Sequence, residues 1–253
     1  MFSAQALADL PGGGEPREVI TPSGFAELDE LTGGMSGGRV WLVVGRPGEG
    51  VTTLLVQWAA ALASQPGQHV HLVTPRESAQ AVAARLYSMS GLIPLNRLPA
   101  RLGEEAEERR TIARERVSAL SLSLYAHGDD HYVPEIHPTR AAERPTAVVI
   151  DDADLVSGVT AEWVRRCARE RMFVLMSLPR SRVLPDGDDW DLDADWARAS
   201  DVVIEMQHRQ LYDGSRLRPG EADLHIRYNR HGYVRTLAVL HQAHFSRFLE
   251  SSP

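Results

Sequence analysis

Gly45-Arg46-Pro47-Gly48-Glu49-Gly50-Val51-Thr52-Thr53 (GRPGEGVTT) follows the apolar run VWLVV (Val40–Val44) and precedes TTLLVQWAAALASQ, an apolar helical pattern that stops at Pro66-Gly67. Strand, glycine loop and helix in that order form the setting in which a chain cradles phosphate. Glycines let backbone N–H groups turn inward, and the helix N-terminus adds a partial positive charge. Gly45, Gly48 and Gly50 keep this backbone permissive, with Arg46 and Thr53 beside them. Thr52 stands where a hydroxyl would reach a phosphate-bound Mg²⁺. Val51 takes the place of the lysine and offers neither charge nor hydrogen bond. The stretch therefore predicts an anion cradle lacking its strongest single contact to terminal phosphates; a glycine turn that holds no ligand is the plainer alternative.

Composition bounds what surrounds the loop. The 253 residues, 43% hydrophobic, are enough for one full-sized core. No apolar run is long enough to cross a membrane, and the N-terminus lacks the basic and apolar regions of a secretory signal. The one cysteine, Cys167, excludes an internal disulfide and fits a reducing cytoplasm; its helical setting points to packing. Net charge is -7, which is unlike the positive footprint of a nucleic-acid binder, so DNA binding is expected to be weak or absent. All 27 basic residues are arginine. Any cation that replaces the loop lysine must therefore be a guanidinium.

Residues 1–20 read as an arm or linker, broken by PGGGEP, and residues 21–253 as one domain. Ser23 is placed to cap a short helix, FAELDELT, ended by Gly33-Gly34. Buried strands are predicted at VWLVVG, HVHLVT, LSLYAH, TAVVIDD, MFVLMSL and DVVIEMQH, with helices at ESAQAVAARLYSMSG, within residues 97–119, and at TAEWVRRCARER. The last thirty residues read as β-rich, with hairpin chemistry at His231-Gly232. Alternating strands and helices followed by antiparallel strands predict an α/β fold with a mostly parallel twisted sheet. His127, Asp129, Asp130, His131, Glu135 and His137 match no standard metal template and read as a polar loop. The aspartate-rich stretch 186–196 is a solvated loop or a protein-partner surface, with Trp190 and Trp196 as contact aromatics.

Four segments, in order, resemble the RecA-like P-loop motor domain of DnaB-type replicative helicases. They are GFAELDELTGGMSGGRVWLVVGRPGEG (Gly24–Gly50), AVVIDDADLV (Ala147–Val156), ASDVVIEMQHR (Ala199–Arg209) and YNRHGYVRTLAVLHQAHFSRF (Tyr228–Phe248). The closing segment is the most specific. The resemblance implies a ring-forming ATPase that uses ATP and Mg²⁺ on single-stranded DNA, with sites shared between neighbouring subunits. Asp151 then matches the metal-organising aspartate, Thr52 the Mg²⁺ hydroxyl, and Arg230 the arginine finger that reaches a neighbour's phosphate. The motor-like segment begins near residue 20, so the family's primase-interacting domain is not expected in the residues before it.

Four positions depart from the pattern. Val51 replaces the lysine, Ser177 a phosphate-sensing glutamine, and Tyr228 a lysine two residues before Arg230. Ungapped matching of TPRESAQAVAARL puts Arg76 where the family has its water-activating glutamate, with Glu77 one residue away. An arginine stays protonated and cannot act as a base. Arg76 is thus expected to bind the terminal phosphate rather than to activate water. The sequence favours a nucleotide- or partner-binding regulatory module, self-associating and linked to DNA replication or processing, that does not hydrolyse its ligand. An active helicase with arginines in place of the lysine, and a sensor of another anionic nucleotide, remain as alternatives.

Overall fold

The computed structural model describes residues 20–100, 103–127, 146–179, 195–208 and 220–251. The N-terminal arm, most of the His127–His137 segment, and Trp190 with most of the aspartate-rich stretch lie outside the described residues.

The first helix, α1 (Ala26–Thr32), ends at Gly33 with φ 78°, a left-handed closure that suits glycine. Its N-terminal residue is Phe25 rather than the expected Ser23. The Ser23 hydroxyl accepts from the Phe25 N–H at 3.2 Å, while the Ser23 N–H donates to the Asp29 carboxylate at 2.9 Å. Capping runs backwards, from a helix side chain to the residue expected to cap it.

The chain continues through β1 (Val40–Gly45), α2 (Val51–Ala63), β2 (Val70–Thr74), α3 (Ala79–Gly91), α4 (Glu104–Ser118), β3 (Leu122–Ala126) and β4 (Ala147–Ile150). It then forms α5 (Ala161–Arg169), β5 (Phe173–Pro179), the short α6 (Asp195–Ala199), β6 (Val202–Gln207), β7 (Glu221–Asn229), β8 (Thr236–Gln242) and β9 (Arg247–Glu250). The strands make one sheet in the order β3-β2-β4-β5-β1-β6-β7-β8-β9. The first six are parallel and the last three pairings antiparallel. Every strand predicted in the parallel part is present, as is the hairpin around His231-Gly232.

β1 is buried on both faces, which is why its residues read as a continuous apolar run. Trp41 and Val43 face one core with Leu54, Leu55 and Trp58 of α2. Val40, Leu42 and Val44 face the other, with Trp163, Val164 and Cys167 of α5. Trp41 meets Trp58 and Phe173 edge to face at 5.7 Å each, fixing α2 across the sheet. Cys167 is fully buried in the second core, as its helical setting predicted. Trp196, in the short α6, is half-buried and packs in part against that core.

The antiparallel end of the sheet is fastened to the loop helix. Gln57 in α2 accepts from the Phe248 N–H at 2.7 Å and donates to the Phe248 carbonyl at 3.1 Å. This amide bridge sets β8 and β9 beside the glycine loop, at the C-terminal edge of the parallel strands. No helix among the described residues is long and apolar enough to cross a membrane.

Candidate nucleotide cleft

The glycine loop leaves β1 at Gly45 and enters α2 at Val51. Gly48 and Gly50 have φ of 88° and 96°, conformations that side chains rarely adopt. Gly50 is also shielded from behind: an added Cβ would lie 2.8 Å from Phe248 Cζ and 3.2 Å from His241 Cε1. The loop is braced by Glu49, almost wholly buried, whose carboxylate accepts from the Arg46 N–H at 2.5 Å. No side chain caps the N-terminus of α2, so its first N–H groups are open to an anion.

Before this terminus opens a cleft of about 550 Å³, a size suited to a nucleotide. It is lined by the expected Gly45, Arg46, Gly48, Gly50, Val51, Thr52, Thr53, Arg76 and Asp151. Glu77, Arg85, Asp152, Ser177 and His241 line it as well.

Asp151 stands at the end of β4 and is buried. Thr52 donates to its Oδ2 at 2.7 Å, and Ser177 to its Oδ1 at 2.6 Å. The Asp152 N–H in turn donates to Ser177 Oγ at 2.8 Å. Burial pushes the Asp151 carboxyl above its ordinary pKa, against the two hydroxyl donors that pull it down. Asp152 is pushed up as well, by burial and by the charge of Asp151. Ser177 is itself buried, and its hydroxyl is spent on this carboxylate. Its short side chain supports Asp151 from within the core.

Arg76 lines the cleft from the turn after β2, as expected. Arg76 pairs through Nε with Asp152 Oδ2 at 3.0 Å, and its side chain is 58% exposed, towards the mouth of the cleft. Glu77 lies further in, with its side chain 21% exposed. His127, at the end of β3, holds this turn from both sides: its N–H donates to the Glu77 carbonyl, and its ring Nδ1 bonds the Pro75 carbonyl, each at 2.9 Å.

The inner cation is Arg85, which sequence reasoning missed. From α3 it grips both oxygens of Glu77, Nη2 to Oε1 at 2.5 Å and Nε to Oε2 at 2.9 Å. Its Nη1 also donates to Thr53 Oγ1 at 3.1 Å and to Ser246 Oγ at 3.4 Å. No local pattern signals this pair, because Glu77 lies in the turn before α3 and Arg85 within the helix. Arg230 lies elsewhere. Asn229 pairs with Val202, and Val202 with Trp41, so the residue that follows is at the end of the sheet away from its own loop. There Arg230 Nε binds Asp201 Oδ1 at 2.8 Å. Among the described residues no three His, Cys, Asp or Glu side chains cluster to hold a metal ion by themselves.

The sequence profile of the DnaB-like helicase C terminal domain matches residues 21–168. The chain belongs to that family. A curated relative, the replicative DNA helicase DnaB of Leifsonia xyli subsp. xyli (strain CTCB07), is 28% identical over 260 residues. That match takes in 92% of this chain and 56% of the relative, so this DnaB-like domain corresponds to little more than half of that protein's length. Among solved structures, one described as an ATPase domain aligns with a TM-score of 0.73 at 18% identity, over 92% of this chain and 91% of that one. A DnaB-like replicative helicase, described with its primase interactions, aligns at 0.75 and 17% identity, over 92% and 63%. These likenesses establish the fold, a RecA-like α/β domain, as the alternation of strands and helices had implied.

Proposed function

We propose that this DnaB-like domain binds a nucleoside triphosphate with Mg²⁺ and holds it without turnover, as a regulatory or structural module linked to DNA replication or processing. One observation carries the reading. Each carboxylate lining the cleft is already engaged by a side chain of this chain: Asp151 by Thr52 and Ser177, Asp152 by Arg76, and Glu77 on both oxygens by Arg85. A general base must accept a proton from water, and a carboxylate gripped bidentately by a guanidinium is a poor acceptor.

The backbone cradle, the uncapped start of α2 and the size of the cleft suit a polyphosphate. Thr52 and Asp151 are the residues that would hold Mg²⁺, which supplies charge neutralisation for the phosphates when bound. Arg46, Arg76 and the loop N–H groups would contact the ligand, and Val51 adds only apolar surface.

A second reading, an active nucleotide hydrolase, is favoured by the position of Glu77, deeper in the cleft than Arg76. One experiment separates the two. ATP and Mg²⁺ are added to purified protein, with and without single-stranded DNA, and phosphate release is compared with that of Thr52→Ala and Asp151→Ala variants. The proposed module binds ATP by calorimetry yet releases phosphate no faster than the variants; release that depends on Asp151 overturns it.

Self-association belongs to the same proposal. Arg230 is directed away from its own cleft, so a role at a phosphate requires a second copy. Beside it, Tyr233 and Val234 are exposed at 83% and 61%, apolar side chains suited to a subunit contact. Light scattering should report an oligomer in the presence of ATP; a monomer with and without nucleotide excludes the shared site.

A further inference from the structure

We propose that Arg85 supplies, from α3, the positive charge that Val51 leaves out of the loop, so that the cleft is a polyphosphate site whose cation is shared between Glu77 and the ligand. This rests on the reading of the cleft as a nucleotide site and names the residue on which its affinity turns.

The geometry points to Arg85 over the other arginines. Arg46 is exposed on the loop, and Arg76 is mostly exposed, where water screens its charge. Arg85 has its side chain 25% exposed, lines the cleft, and touches Thr53 in the first turn of α2. It therefore lies beside the uncapped N–H groups where phosphate oxygens would bind. The chain has no lysine to take this part.

The contacts of Arg85 divide into two kinds. Nε and Nη2 make the charge-assisted pair with Glu77 at 2.9 and 2.5 Å. Nη1 makes two contacts with neutral hydroxyls, Thr53 Oγ1 at 3.1 Å and Ser246 Oγ at 3.4 Å. A phosphate oxygen that displaces these hydroxyls exchanges neutral acceptors for an anionic one, which gives a stronger bond. The guanidinium fork allows this without releasing Glu77, because its donors point along separate edges. Glu77 nevertheless competes electrostatically for the same cation. Removing its charge must then strengthen ligand binding, whereas a purely structural ion pair gives no such gain.

Isothermal titration with ATP, and separately with inorganic tripolyphosphate, tests this on the full chain, with thermal melts to confirm that each variant is folded. Glu77→Gln should bind ATP about ten-fold tighter than wild type. The double variant Glu77→Gln/Arg85→Gln keeps an amide pair in place of the ion pair and should bind about ten-fold or more weaker than wild type. Adding Val51→Lys to the double variant should restore the loss. An unchanged affinity in the double variant, or no gain in Glu77→Gln, overturns the assignment while leaving ATP binding as such intact. Arg85-dependent binding of tripolyphosphate without binding of ATP supports the assignment and overturns the nucleotide reading. Failure of the wild type to bind either probe sinks both.

Discussion

The hydroxyl of Thr52, at the head of α2, donates to Oδ2 of Asp151, at the end of β4, over 2.7 Å. β1, which leads into α2, is not a neighbour of β4: β5 lies between them in the sheet, and its Ser177 completes the link at 2.6 Å. Three chain segments thus converge on one buried carboxylate, which makes its substitutions informative.

Ser177→Ala removes one donor to Asp151 and the acceptor for the Asp152 N–H. Loss of a buried partner costs about 1–3 kcal/mol. We expect a lower urea midpoint with an unchanged slope, and a further rise in the Asp151 pKa. Asp151→Asn should act in the opposite direction on stability. Burial raises the folded-state pKa of this carboxyl, so its ionised form opposes folding at neutral pH, above the unfolded pKa. The asparagine variant should melt higher at pH 7 while losing the Mg²⁺-dependent part of ATP affinity. A lower melting temperature contradicts this account.

Gly50→Ala places a side chain at φ 96° and 2.8 Å from Phe248. The backbone alone costs about 1–3 kcal/mol, and the stacked pair His241 and Phe248, with ring centroids 4.3 Å apart, must separate to make room. The expected result is a clear loss of thermal stability, together with loss of polyphosphate binding in calorimetry. By contrast Gly67→Ala, also at positive φ but with nothing within 4 Å, should show the backbone cost alone.

Val51→Lys restores the loop cation but leaves Glu77 in the grip of Arg85. Affinity for ATP should rise about ten-fold, the effect of one added charge-assisted contact. Phosphate release should remain at the level of the Asp151→Ala control. Turnover appearing in this variant alone would show that the missing lysine, rather than the clamped carboxylate, is what prevents hydrolysis.

Protonation of two half-buried histidines should weaken the fold in mild acid. Burial lowers the pKa of His71 to about 4, helped by the charge of His69, and that of His241 to about 4, helped by His208 and Arg85. Each ring is neutral in the folded protein where it would be protonated in the unfolded chain. The unfolded state then binds more protons between pH 6.5, the ordinary value, and pH 4, so stability falls as pH falls through that window. Urea titrations across this range should show the decline, and His71→Gln should flatten it. A pH slope left unchanged by His71→Gln would contradict the burial of that ring.

Most of the fold was legible in residue order. VWLVV and AVVI read as buried strands because both faces are covered, and GRPGEGVTT read as a phosphate cradle because glycine spacing decides backbone reach. Ser23 was misplaced as a cap because serine preference is local, while the Asp29 carboxylate that takes its N–H lies a turn further on. Trp196 read as a contact aromatic from its acidic surroundings, and its half-buried ring also rests in part against the second core.

By itself the sequence determined a loop shaped for phosphate with no lysine in it, since the absence of a residue type is a matter of composition and a glycine cradle one of backbone freedom. Only the tertiary structure decided which charged side chains occupy the cleft. Arg76 and Glu77 are adjacent in the chain and point to different places because His127, brought alongside by β3, holds the turn between β2 and α3. Arg85 enters from within α3, drawn by the Glu77 carboxylate in the turn before that helix and met by Thr53 from α2. Such convergence depends on how helices pack on the sheet, a long-range outcome that no local pattern encodes.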